Sequence, residues 1–85
     1  MTDVVPQPSR AFEETLDREV ALLESAVDLV ATGGAPSATV AGLRLCEAAI
    51  DVVGPMARGR GIRLEPLWNA DESGCDVRVR RAERA

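Results

Sequence analysis

The sequence predicts an α+β protein, a two-helix antiparallel hairpin followed by a two-stranded antiparallel β-hairpin, completed by homodimerisation. Three observations carry this. Leu16, Val20, Leu23, Val27 and Val30 repeat at alternating spacings of four and three, the seam of a packed helix. Residues 62–68 and 75–81 alternate with period two on either side of a turn-rich segment, the pattern of paired strands. The chain has only 85 residues, a length at which one core is small and a second copy is a common remedy.

The elements follow in order. Residues 1–8 hold two prolines without periodicity and read as a flexible N-terminal arm. One domain covers residues 9–81, and residues 82–85 read as a flexible tail. Ser9 is placed to cap the first helix, with Glu13 and Glu14 near its positive end. Glu14 and Arg18 are spaced to pair on the outer face. Gly33, Gly34 and Pro36 end this helix.

The spacing of Val40, Leu43, Cys46, Ala49, Ile50 and Val53 then predicts a second helix, capped by Ser37 or Thr39 and running to Ala57. Gly54 and Pro55 predict a kink or a stop near its end. That helix is apolar around most of its circumference and wants burial on more than one side. Leu43, Ile50 and Val53, with Trp68 from the hairpin, are therefore the candidate core and dimer residues. Residues 36–43 also resemble the start of a reading helix in a helix-turn-helix, but their apolar side chains suit a structural helix better.

The hairpin turn lies at residues 69–74, Asn-Ala-Asp-Glu-Ser-Gly. With Asn69 opposite Gly74, the register pairs Trp68 with Cys75, Leu64 with Val79, and Ile62 with Arg81. Ile62, Leu64, Trp68, Cys75, Val77 and Val79 then share the inner face. Glu65 meets Arg78 on the outer one, and Pro66 points the side of its strand without an N–H toward an edge.

The inventory of side chains restricts the chemistry. There is no His, Lys or Tyr, which removes histidine-based nucleophilic catalysis and lysine Schiff bases. The chain is expected to be no enzyme, with no cofactor and no metal. Two cysteines, Cys46 and Cys75, are too few for a zinc site. Both are expected in the core, reduced and unlinked, in a cytoplasmic protein. Asn69, Asp71, Ser73 and Gly74 match the first half of a calcium loop, but Arg80 stands where its bidentate Glu belongs.

Net charge is −4, yet residues 58–85 hold seven of the ten arginines. Arg58, Arg60, Arg63, Arg78, Arg80 and Arg81 form the candidate binding surface, for an acidic protein, a phosphate or a nucleic acid. Arginine without lysine, in an alanine-rich chain, is the usage of a GC-rich bacterial genome.

Residues 43–65, ending Gly-Pro-Met-Ala-Arg-Gly-Arg-Gly-Ile-Arg-Leu-Glu, resemble the junction in sensor histidine kinases where the second dimerisation helix enters the first strand of the ATP-binding domain. The resemblance covers about a quarter of the chain and implies a helical-hairpin dimer. It implies no kinase activity, because the phosphoacceptor His and the ATP-domain motifs are missing. The expected function is a small bacterial interaction or regulatory protein acting as a homodimer, with no membrane association. The alternative is a nucleic-acid or anion-binding module using the C-terminal arginines.

Overall fold

The chain folds as helix α1 (Pro8–Ala31), strand β1 (Ser37–Leu43), helix α2 (Cys46–Gly59), and strands β2 (Ile62–Trp68) and β3 (Cys75–Arg81). The computed structural model describes residues 8–68 and 74–82. Residues 1–7 of the expected arm, 69–73 of the expected turn with its half-match to a calcium loop, and 83–85 of the expected tail lie outside them, while Pro8 belongs to α1.

The fold is α+β, but its sheet has three antiparallel strands in the order β1-β3-β2. A third strand replaces the first half of the expected second helix. Residues 37–43 pair with β3, Ala38 opposite Val79 and Val40 opposite Val77. The register then shifts, and Leu43 comes opposite Cys75. Ala41 and Gly42 together face Asp76, which makes a bulge, and Gly42 takes the positive φ of 73° that a bulge of this kind asks of glycine. Without the extra residue Leu43 would point away from the helices; with it, Leu43 is fully buried. The Asp76 carboxylate accepts the Gly42 N–H at 3.0 Å and holds the bulge. The three-residue step from Val40 to Leu43 is thus a bulge in a strand, which sequence spacing alone reads as a helical turn.

The β2–β3 hairpin has the expected register throughout, from Ile62 opposite Arg81 to Trp68 opposite Cys75. Pro66 lies on an edge strand, where a missing N–H is tolerated. Gly74 immediately precedes β3 beside the end of β1, and a Cβ there would collide with the Leu43 carbonyl oxygen.

Both helices cover one face of the sheet. α1 lies over β1 and β3, and α2 lies beside it over β2. The core between the layers holds Leu23, Val27 and Val30 of α1, Ala49, Val53 and Ala57 of α2, and Leu43, Ile62, Val77 and Val79 of the sheet. Ile50 and Leu64 are half-buried against it. Leu43 and Val53 therefore serve the core of a single chain. Trp68 departs from expectation, because at the end of an edge strand it is 56% exposed.

Three smaller expectations also change. α1 begins at Pro8, so Ser9 lies within the helix. Of the expected kink or stop at Pro55 the stop is absent, since α2 runs through it to Gly59. Glu14 and Arg18 are both exposed and form no ion pair. α2 starts at Cys46 and ends at Gly59, too short for the long dimerisation helix that the resemblance implies.

Cys46 and Cys75 are not free thiols. They form a disulfide, with Cα atoms 6.1 Å apart, a separation that suits a disulfide. The bond ties the first residue of α2 to the first residue of β3, and both cysteines are buried. This disulfide overturns the expectation of reduced, unlinked thiols, since in sequence the two lie 29 residues apart with no motif joining them. The bulge in β1 and the close approach at Gly74 bring them together.

Candidate functional site

The six arginines of the expected binding surface do not form one patch. Along β3, Arg78 and Arg80 alternate with buried valines and project from the uncovered face of the sheet. Arg63 of β2 shares that face. Arg81 falls on the helix side and donates to the carbonyl of Val30 at 3.3 Å. Arg60 leaves the turn after α2 and pairs with Asp28 of α1 at 3.2 Å. Arg60 and Arg81 thus bind the C-terminal end of α1, where cations are favoured. Arg58 sits on the exposed flank of α2.

Glu65 lies at the centre of the outer face. The expected partner was Arg78, directly opposite. The carboxylate instead accepts from Arg80 at 2.7 Å and lies 3.3 Å from Arg63. The hydrogen bond from Arg80 holds the Glu65 carboxyl below the usual carboxylate range, with the positive charges of Arg80, Arg63 and Arg78 acting the same way. Four of the six arginines thus have protein partners. Arg58 and Arg78 have no acidic partner among the described residues.

Glu19 is a functional side chain of the fold that no sequence motif marks. It is buried at 5% exposure on the inner side of α1. Its two carboxylate oxygens accept the backbone N–H groups of Arg44 and Leu45, each at 2.7 Å. Leu45 is the N-cap of α2 and has no side-chain cap of its own. Glu19 performs from another helix the task of a capping-box glutamate, with its charge at the positive end of α2. Its position one residue before Val20, beside the apolar seam, was the only signal in the sequence.

The two sheet edges differ. β2 carries Arg63, Glu65 and Pro66, the devices that discourage edge pairing. β1, Ser-Ala-Thr-Val-Ala-Gly-Leu, has neither charge nor proline, and among the described residues no strand pairs with its outer edge. Above it runs the flank of α1 away from α2. Leu22 and Leu29, two turns apart, lie on that flank at 47% and 44% exposure.

No family model, curated protein or solved structure matches this chain.

Among the described residues no three acidic, cysteine or histidine side chains converge as a metal site would require. None of the described helices is long and apolar enough to cross a membrane.

Proposed function

We propose that this chain is a non-enzymatic interaction protein that works as a homodimer, with two copies joined along the open edges of β1. The observation that carries the reading is the contrast between the edges. β2 is guarded by charge and proline; β1 is uncharged, rich in small and β-branched residues, and unguarded. A strand without charge can pair with its own copy about a two-fold axis without bringing like charges together. Leu22 and Leu29 extend the same wall upward, so α1 of one copy packs on α1 of the other above the strand junction.

The product is a six-stranded sheet in the order β2-β3-β1-β1-β3-β2. Its uncovered face has Ser37, Thr39 and Ala41 of both copies at the centre, with Arg78 and Arg80 flanking them. Such a shallow floor, flanked on each side by an Arg78 without an acidic partner among the described residues, suits an acidic protein partner. The anion-binding alternative draws less support, because most of the candidate arginines are already engaged within the chain.

Light scattering tests the assembly. The expected mass at micromolar concentration is twice the 9.0 kDa of one chain. Thr39→Lys and Leu22→Glu, both at exposed positions, should give folded monomers. A monomeric wild type, or a dimer indifferent to both changes, would refute the reading.

A further inference from the structure

On the side of the molecule away from β1, a cleft of about 300 Å3 opens between α2 and β2. Ile50, Gly54, Ile62, Leu64 and Ala82 line it, with Arg58 and Arg63 at its margin. The apolar lining is wholly aliphatic. Ile62 forms the buried floor, and Ile50 and Leu64 keep part of their surface open to the cleft. Gly54 widens it, since a Cβ at that position would meet nothing within 4 Å beyond its chain neighbours. Ile50, Gly54 and Arg58 stand four residues apart in one row along α2. The row thus runs from an apolar side chain, past a gap, to a guanidinium.

The two arginines differ. Arg63 is 3.3 Å from Glu65 and partly neutralised. Arg58 is exposed and has no acidic partner among the described residues. A planar guanidinium at the end of an apolar trough matches a carboxylate in bidentate geometry. We propose that this cleft binds an aliphatic carboxylate, its hydrocarbon chain along Ile50, Gly54, Ile62 and Leu64 and its carboxylate on Arg58. The site lies on the guarded edge of the sheet and is independent of the proposed dimer contact.

Titration of the full chain with octanoate, followed by amide chemical shifts, tests this. Saturable shifts should centre on Ile50, Gly54, Ile62 and Leu64. Octanol, which lacks the charge, and acetate, which lacks the chain, should each bind at least tenfold more weakly. Arg58→Gln should lose at least tenfold for octanoate and leave octanol unchanged; an unaltered thermal melt establishes that the variant is folded. Absence of saturable shifts with millimolar octanoate would overturn the proposal. So would shifts centred elsewhere, or equal octanoate affinity in the wild type and Arg58→Gln.

Discussion

Reducing the Cys46–Cys75 bond should produce a large and calculable loss of stability. The cysteines are separated by 29 residues. Opening a loop of that length returns roughly 12 cal/mol/K of entropy to the unfolded chain, about 3.6 kcal/mol at room temperature. The folded state loses little in exchange, because both sulfurs stay packed between α2 and β3 as small apolar groups. For a chain of this size the melting temperature should fall by about 15–25 °C. The assay is a pair of thermal melts by circular dichroism, one on oxidised protein and one on protein unfolded and refolded with reductant. Both cysteines are almost fully buried, so reductant added to the native protein should act slowly. Mass spectrometry after alkylation under denaturing conditions should find no label on the oxidised sample and two on the reduced one. Two labels on untreated protein, or superimposable melts, would refute the reasoning.

Replacing Glu19 by Leu should cost about 2–4 kcal/mol by denaturant unfolding, since two backbone N–H groups lose a charged acceptor; a loss below about 1 kcal/mol would mean that water replaces the carboxylate. The Glu65 carboxyl is depressed in the folded state, so its contribution is complete above the ordinary glutamate range and disappears as pH falls through the lower folded value. Glu65→Gln should flatten that acidic part of the stability curve, and an unchanged curve would remove Glu65 from the account. Trp68 is mostly exposed, so native fluorescence should already resemble that of solvated indole and move little on unfolding; a strongly blue-shifted native spectrum would contradict its placement.

The hairpin was legible in the sequence because its information is local. Alternation in 75–81, turn residues at 69–74 and Pro66 on an edge together allow one register. α1 was legible for a similar reason, as its seam is long and interrupted by no glycine. β1 was not. Its bulge puts Val40 and Leu43 three apart, and Cys46 follows at another three, so a strand, a turn and a helix start together imitate one helix. The excess apolar surface of that imagined helix disappears once β1 joins the sheet, and the case for a second copy moves to the open edge. The disulfide and the Glu19 cap were hidden because each joins segments distant in the chain. For the candidate surface, sequence supplied the arginines and their outward alternation in β3. It could not supply the contacts that engage four of them, three with carboxylates and Arg81 with a backbone carbonyl.

The direct test of the open β1 edge is amide hydrogen exchange measured residue by residue over a range of protein concentration. If two copies pair through β1, amides of Ser37–Leu43 on the side away from β3 gain protection as concentration rises through the dimer's dissociation constant, while the outer amides of β2 stay fast. Exchange of β1 that is equally fast at every concentration, or protection rising instead along β2, would contradict the account.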